Sequence, residues 1–290
     1  MMVREITAKV LLSSARQPDP WFGIKYTMNL YRGCQHGCIY CDTRSECYGI
    51  DDLSDVAVKA NAIELLRKEL PRKRVKGTVG TGSMNDPYMP LEAELQMTRQ
   101  ALEVIAAQRF PVHIITKSDL VLRDLDLLRQ IQQVYAAVSF TLTTVDDTLA
   151  SQVEPGAPFP SRRLAAMAAL AKEGILTGVT MMPILPFLQD SEENIRAIVL
   201  RAHEAGAAYI LPAFGMTLRD RQRDHYYAQL DRSFPGLRKK YEVRFGSRYS
   251  CAANNAHHLE QFSGTLCERL GILTRIPSYA PPAPAQPRLL

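Results

Sequence analysis

The sequence lacks the features of disulfide-stabilised secreted proteins and of membrane proteins. Six cysteines in 290 residues are too sparse for a disulfide framework, and the N-terminal residues Met-Met-Val-Arg-Glu-Ile-Thr contain no apolar run typical of a signal peptide. No stretch approaches the roughly 20 apolar residues needed to cross a bilayer. We therefore predict a cytoplasmic protein with reduced thiols and no membrane partner.

Charge does not select a class of partner. The net charge of +5 and the pI near 8.9 would suit a nucleic-acid substrate, but many enzymes that act on small molecules are equally basic. With 46% hydrophobic residues, the chain is long enough to bury the core of one large domain, with or without appendages.

Three cysteines are concentrated in one short segment. Cys34, Cys38 and Cys41 have the spacing C-x3-C-x2-C, and the aromatic residue Tyr40 precedes the last of them. Three thiolates on one loop can hold three irons of a cubane cluster and leave the fourth iron without a protein ligand. An open coordination position on a metal usually serves chemistry rather than structure.

Other metal sites fit the cysteine spacing less well. An electron-transfer cluster normally takes four cysteines, and no fourth cysteine follows at ferredoxin spacing. A structural zinc site could recruit His36 or Cys47, but zinc knuckles usually come as two C-x2-C pairs. The alternative to an enzyme is therefore a zinc-stabilised nucleic-acid-binding protein without catalysis.

Short β-rich runs alternate with helical patterns through most of the chain. Six strands are predicted at 24–31, 77–82, 112–116, 136–143, 178–182 and 208–213. This alternation predicts an α/β fold, a partial (β/α)6 TIM-like barrel with a C-terminal helical extension, whose reacting groups gather at the C-terminal ends of the strands. The predicted divisions are an N-terminal extension (1–23), the barrel (24–215), the helical extension (216–275) and a proline-rich tail (276–290).

The motif and its flanks resemble the radical S-adenosylmethionine (SAM) superfamily, and within it the spore photoproduct lyase-like branch. The strings that carry this resemblance are Tyr-Arg-Gly-Cys-x-His-Gly-Cys-x-Tyr-Cys from Tyr31, Thr116-Lys117-Ser118, and Glu154-Pro155 followed by Arg163-Leu164. The resemblance implies a [4Fe-4S] cluster, reductive cleavage of SAM to a 5′-deoxyadenosyl radical, and hydrogen abstraction from a substrate. It also implies an electron donor such as flavodoxin or ferredoxin. Because spore photoproduct lyases repair a thymine dimer in DNA, a nucleic-acid-related substrate is one possibility.

The resemblance also suggests which residues contact SAM. Tyr40 is expected near the adenine, Lys117 at the SAM carboxylate, and Met182 beside a rigid wall that supports the adenine. The other expected contacts are polar or small residues at strand ends: Thr81, Gly82, Ser83 and Asp86 after the second strand, Ser139 and Thr141 on the fourth, and Glu154 and Arg163 beyond it. Each has a structural alternative, as a turn residue, a helix cap, a surface cation or a satisfied hydroxyl inside the barrel.

Hydrogen donation and substrate binding have weaker candidates. Spore photoproduct lyases use an additional cysteine as hydrogen donor, for which Cys47 and Cys251 are candidates, although a buried small residue is the simpler interpretation. Interleaved aspartates favour an ordinary solvated helix face over contacts with a phosphate backbone in the C-terminal extension. The basic residues considered for such contacts are Arg219, Arg221, Arg223, Arg238, Lys239 and Lys240.

Overall fold

A seven-stranded sheet forms the centre of the molecule. The computed structural model describes residues 3–82 and 84–281, and the order of strands in this sheet is β10-β9-β8-β7-β6-β3-β2. The sheet contains β2 (Leu12–Ser14), β3 (Ile24–Met28), β6 (Thr78–Thr81), β7 (Val112–Thr116), β8 (Ala136–Thr141), β9 (Leu176–Met181) and β10 (Tyr209–Pro212). All neighbours from β3 to β10 pair in parallel, and β2 joins the β3 edge antiparallel.

The six parallel strands confirm the predicted partial barrel. They follow one another in chain order, and helices connect them because parallel neighbours need long crossovers. The barrel helices are α1 (Ala62–Glu69), α2 (Glu92–Leu95), α3 (Met97–Ala107), α4 (Leu125–Gln132), α5 (Asp147–Val153), α6 (Pro160–Lys172) and α7 (Glu192–Glu204). Local chemistry sets several of their starts: Pro160 occupies the first turn of α6, and the Ser191 hydroxyl accepts the Asn194 N–H at the start of α7.

A second, three-stranded sheet lies beside the barrel, and the sequence patterns did not predict it. It consists of β1 (Arg4–Ile6), β5 (Ala57–Lys59) and β4 (Tyr31–Arg32), in the order β1-β5-β4. The predicted first strand is therefore divided, because β3 ends at Met28 and β4 pairs with the other sheet.

The inside of the barrel contains a buried polar chain. Tyr209 fills the space that Gly178 leaves open, where a Cβ atom would clash with the tyrosine ring. Its hydroxyl lies 2.6 Å from the Ser139 oxygen, which lies 2.7 Å from His113 Nε2. Burial lowers the pKa of His113 to about 4. The imidazole is therefore neutral at pH 7, and its Nδ1–H donates to the Phe22 carbonyl at 2.9 Å.

The C-terminal part of the chain adds helices and a two-stranded sheet. Its helices are α8 (Asp220–Ser233), α9 (Leu237–Phe245) and α10 (Ala256–Arg269), and its sheet pairs β11 (Gly215–Thr217) antiparallel with β12 (Ser250–Ala252). The prediction of a purely helical extension was therefore incomplete. Leu273 bridges to Tyr209 on the β10 edge, and Ile276 is buried beyond it. The division into domains stays a prediction, and residues 282–290 of the predicted tail lie outside the described residues.

Within residues 3–82 and 84–281, none of the helices is both long enough and apolar enough to span a bilayer.

Candidate cluster and SAM site

A cavity of about 530 Å³ opens at the C-terminal ends of the barrel strands. Its volume lies within the range of roughly 300–1,000 Å³ that is usual for ligand sites. Nine residues expected from the sequence line it: Cys34, Cys38, Tyr40, Cys41, Gly82, Asp86, Lys117, Thr141 and Met182. The prediction that strand ends and the cysteine loop meet in one place is thus realised in the geometry.

Backbone contacts from the segment after α5 hold the cysteine loop against the barrel. The Ile39 N–H donates to the Val153 carbonyl at 3.0 Å, and the Gly156 N–H donates to the His36 carbonyl at 2.8 Å. The backbones approach closely because Gly156 has no side chain: a Cβ atom there would lie 3.0 Å from the His36 carbonyl oxygen and closer still to that of Gln35.

A single bound ion finds no support among the described residues. Among residues 3–82 and 84–281, no three Cys, His, Asp or Glu side chains converge closely enough to hold one metal ion. Four-coordinate zinc, with Zn–S bonds near 2.3 Å, would bring its sulfurs to within roughly 4 Å of one another. A cubane cluster places each thiolate on a different iron, so its cysteines stand farther apart. The geometry gives no support to the zinc alternative.

The electrostatic setting of the thiols fits a cationic partner. Burial raises the pKa of Cys34 to about 11 and raises the pKa of Cys38 further. A thiolate in such surroundings needs a nearby positive charge, which cluster irons supply and which Lys117 supplements beside Cys38. The donor set of three thiols facing one cavity therefore fits a [4Fe-4S] cluster.

Asp86 links the loop after β6 to the cysteine loop and to the end of β7. Its carboxylate accepts hydrogen bonds from the Thr116 hydroxyl and the Lys117 N–H, each at 2.6 Å, and lies 3.2 Å from His36 Nε2. Burial alone would raise the pKa of this carboxyl, but His36 and these donors more than offset it, so the pKa lies below its usual range. Asp86 is therefore an ionised anchor between three loops.

Lys117 brings a positive charge to the cavity wall. Its Nζ lies 5.9 Å from the centre of the Tyr40 ring. In the described part of the chain, no hydrogen-bond or ion-pair partner contacts this ammonium group. Burial lowers the pKa of Lys117, but Cys38 and Glu154 raise it by more, so that the net shift is upward. The side chain is a charged donor available to an anionic ligand group.

Glu154 and Arg163 were expected to contact SAM, but neither lines the cavity. They are almost fully buried behind Tyr40, with Arg163 Nη2 2.6 Å from Glu154 Oε2. Burial raises the pKa of Glu154, but Arg163 and Lys117 reverse the shift and hold the pKa below its usual value. The pair is therefore ionised and engaged within the protein.

The remaining expected contacts are divided between the cavity and the barrel core. Gly82 lines the cavity with φ near +90°, where a Cβ atom would clash with the Ile115 carbonyl oxygen. Ser139 belongs to the buried chain with His113, and the Thr81 hydroxyl is buried with no partner among the described residues. Neither residue lines the cavity. Ser83 lies outside the described residues. The SAM-contacting roles of all these residues stay predictions.

Sequence patterns missed one wall of the cavity. Residues of the β11–β12 sheet and the segment before it form this wall: Ala213, Phe214, Gly215, Met216, Thr217, Ser250 and Ala252. Asp42, next to the last motif cysteine, connects this sheet to the cysteine loop, because its carboxylate accepts hydrogen bonds from the Thr217 hydroxyl at 2.7 Å and from the Arg219 guanidinium at 2.5 Å. The sequence signal that could have indicated this contact is the polar residue Asp42 directly after Cys41.

Neither candidate hydrogen donor lines the cavity. Cys47 is exposed on the short 3-10 helix Glu46–Tyr48. Cys251 lies on β12 between the cavity-lining residues Ser250 and Ala252, so its side chain projects to the opposite face, where it packs with Tyr226 and Tyr241. Their catalytic roles remain without geometric support.

Most of the basic residues considered as phosphate contacts already have partners within the protein. Arg219 pairs with Asp42, Arg221 with Asp51, and Arg238 with Asp231 and Glu242, while Arg223 donates to backbone carbonyls. These engagements weaken the idea that the six cations form one phosphate-binding row. Arg219 is also stacked between two rings, 5.5 Å from the centre of Tyr48 and 5.3 Å from that of Tyr249.

A family model described as "Radical SAM superfamily" matches residues 28–199, which include the three cysteines and most of the barrel. The chain belongs to the radical SAM superfamily. Members of this superfamily use a [4Fe-4S] cluster and SAM for radical chemistry, which supports the cofactors that the sequence predicted.

Similar sequences include proteins named as uncharacterised. This radical SAM protein is 36% identical to one from Mycobacterium tuberculosis over 75% of its own length and 66% of the relative's, just under two thirds. It is 35% identical to one from Methanocaldococcus jannaschii over 65% of this chain and 70% of that one. It is 25% identical to the "Radical SAM Nalpha-GlyT isomerase" of Pseudomonas phage M6, over 62% of this chain and 37% of that one.

Solved structures resemble this radical SAM protein in fold. A spore photoproduct lyase variant with bound AdoMet and dinucleoside spore photoproduct superposes with a TM-score of 0.69 at 16% identity, covering 93% of this chain and 80% of that one. The radical SAM methyltransferase TsrM from Kitasatospora setae gives 0.54 at 14% identity, covering 83% and 51%. The predicted resemblance to spore photoproduct lyase is confirmed at the level of the fold.

Proposed function

We propose that Cys34, Cys38 and Cys41 hold three irons of the cluster and that SAM occupies the adjoining cavity, where its cleavage starts hydrogen abstraction from a substrate. The cluster and SAM together supply a one-electron reductive cleavage and a hydrogen-abstracting radical. The observation that carries the proposal is that three thiols share a single cavity with the Lys117 ammonium, which has no partner in the described part of the chain. The protein contributes by binding, orienting and sequestering the reacting groups.

The residues proposed to contact SAM, together called the SAM seat, are assigned by their charge and position in the cavity. Lys117 is proposed to pair with the SAM carboxylate, because it offers an ammonium without a partner among the described residues. Tyr40 and Met182 line the same cavity and are proposed to enclose the adenine with apolar surface. Asp86 fixes the loop that carries the cavity-lining Gly82.

The substrate is proposed to contact the β11–β12 wall. The superfamily match ends at residue 199, whereas this wall comes from residues 213–252. The shared chemistry of the family belongs to the matched part, so the part outside it is where a particular substrate would be selected. Phe214 and Ala252 are apolar and Ser250 is a neutral hydroxyl, which favours an uncharged reacting group with one polar edge.

A nucleic-acid-related substrate is supported by similarity and by the outer edge of the wall. Spore photoproduct lyase has been solved with a dinucleoside photoproduct, and the phage relative is named as an isomerase of Nalpha-GlyT. Tyr249, half-exposed beside Ser250 and stacked on Arg219, offers an aromatic face on which a base could stack. We propose a base-bearing substrate, a cytoplasmic location, and a flavodoxin or ferredoxin as electron donor.

Anaerobic reconstitution with iron and sulfide tests the core of this proposal. The reconstituted protein should bind about four irons per chain and form 5′-deoxyadenosine from SAM under dithionite. Replacing Cys34, Cys38 and Cys41 together with alanine should abolish both, whereas Cys47→Ala, the matched control, should change neither. Retained cleavage in the triple variant would refute the cluster assignment.

A separate measurement tests the base-bearing substrate. Binding of a fluorescent oligothymidylate to the loaded protein should weaken by about 5- to 150-fold in Tyr249→Ala, because base–aromatic stacking contributes roughly 1–3 kcal/mol. Tyr279→Ala provides a control on a tyrosine that packs against Tyr135. Equal binding by all three proteins, or no binding by any, would argue against a nucleic-acid-related substrate while leaving SAM cleavage intact.

A further inference from the structure

A buried triad of side chains lies behind the cysteine loop. The Tyr40 hydroxyl donates to Glu154 Oε1, and Glu154 Oε2 pairs with the Arg163 guanidinium at 2.6 Å. Arg163 Nη1 donates to the Thr141 carbonyl at 2.9 Å and its Nε donates to the Pro158 carbonyl at 2.7 Å. The triad thus connects the motif aromatic to the last residue of β8.

These contacts leave Glu154 and Arg163 little capacity for a ligand. Each carboxylate oxygen of Glu154 already has a partner inside the protein, and both residues are at most 2% exposed. Tyr40, in contrast, lines the cavity. A direct contact between Glu154 and SAM would require the triad to come apart, which would leave Arg163 as an uncompensated buried charge.

We propose that Glu154 and Arg163 are positioning residues, which act on SAM through Tyr40 rather than by touching it. This inference rests on the proposed SAM seat. Because its phenol is held at one end and its backbone lies between Cys38 and Cys41, the Tyr40 ring has one orientation relative to the cysteines. SAM therefore meets a fixed ring, and no binding energy is spent on ordering it.

The triad also affects the cationic side of the cavity. The Lys117 ammonium lies 5.9 Å from the Tyr40 ring, and the Glu154 charge behind that ring stabilises it. A carboxylate that is shielded from the cavity can hold a lysine in its charged form without neutralising it by direct contact. The same carboxylate thus orients an aromatic and supports a cation.

The chain offers a matched control for this triad. Tyr31 donates to Glu92 Oε2, and Glu92 Oε1 pairs with Arg123 at 2.7 Å, so the same three residue types recur in a buried cluster. Neither Tyr31 nor Glu92 lines the cavity. Tyr31→Phe therefore removes an equivalent hydrogen bond without touching the SAM seat.

A double-mutant cycle tests the inference. Equilibrium dialysis gives the SAM dissociation constant of each cluster-loaded variant, and the melting temperature of each variant checks that it folds. Tyr40→Phe and Glu154→Gln should each raise the dissociation constant by roughly 2- to 10-fold, the range expected for one lost hydrogen bond. The double variant should be no weaker than the worse single variant, because both changes break one linkage. Tyr31→Phe should leave SAM binding unchanged.

Two results would overturn the inference alone. Multiplying losses in the double variant would show that Glu154 contacts SAM independently of Tyr40. Wild-type affinity for SAM in Tyr40→Phe would show that the ring needs no anchor. This variant keeps the Glu154–Arg163 ion pair, so it tests the inference even if Glu154→Gln does not fold. A wild-type loaded protein that binds no SAM would instead overturn the proposed function together with this inference.

Discussion

Replacing Gly156 with alanine should disturb the cysteine loop more than its size suggests. The added Cβ would lie 3.0 Å from the His36 carbonyl oxygen and nearer still to that of Gln35, whereas ordinary contacts begin near 3.4 Å. Both obstacles are backbone atoms, so the cysteine loop must move by roughly 0.5–1 Å to restore normal contact. That movement also strains the Gly156 N–H bond to the His36 carbonyl and the His36 Nδ1 bond to the Gly156 carbonyl.

Two measurements on the Gly156→Ala protein test this reasoning. Overpacking and weakened hydrogen bonds should lower the free energy of unfolding by about 1–3 kcal/mol. Formation of 5′-deoxyadenosine per loaded cluster should fall by roughly 100-fold, the effect of misplacing reacting groups by about 1 Å.

Gly264→Ala is the control, because the Cβ it adds to α10 would meet nothing within 4 Å and should stabilise the helix by about 0.5–1 kcal/mol. Wild-type stability and cleavage in Gly156→Ala would refute the idea that residues 153–156 clamp the loop.

Three further predictions concern charge, protonation and a bridging amide. Lys117→Met should weaken SAM binding by about 30- to 1,000-fold, equivalent to about 2–4 kcal/mol for a lost charge pair. An unchanged dissociation constant would show that Lys117 does not bind SAM. His113 is protonated near pH 6.5 in the unfolded chain but only near pH 4 in the native barrel. The free energy of unfolding of the wild type should therefore fall by about 3 kcal/mol as the pH drops from 6.5 to 4. His113→Gln should lose this pH dependence, and equal pH profiles of the two proteins in urea titrations would contradict the prediction. Gln222 Nε2 donates to the carbonyls of Tyr40 and Thr217, both at 3.1 Å. Gln222→Ala should therefore lower the free energy of unfolding by about 2–3 kcal/mol. A change of less than about 0.5 kcal/mol in urea titrations would show that water replaces the amide.

The parts that sequence reasoning predicted are those with local signals. The cysteine motif is defined by spacing along one loop, and the barrel by repeated alternation of strand and helix patterns. Lys117 and Asp86 could be placed near the cysteines because parallel strands bring their C-terminal ends to one edge. Such inferences need only the periodicity of the chain and the topology it implies.

The parts that it missed depend on contacts between distant segments. The strands β11 and β12 are three residues each, too short for a recognisable alternation, and 32 residues separate them. Glu154 was correctly placed beside the site, but its side chain points to a tyrosine 114 residues away rather than into the cavity. A strand-end position therefore indicates proximity to a site, but not the direction in which a side chain points.

The attachment of α8 to the cysteine loop has a consequence for the synthesis of the chain. The ribosome has made all three thiols by residue 41. Gln222, which donates to the Tyr40 carbonyl, and the strand β12 come about 180–210 residues later. At 5–20 residues per second, the ribosome needs roughly 10–40 s to make that stretch. During this interval the cysteine loop is open on the side that the C-terminal segment later covers. We expect cluster delivery to be easiest through that side before the last third of the protein has folded.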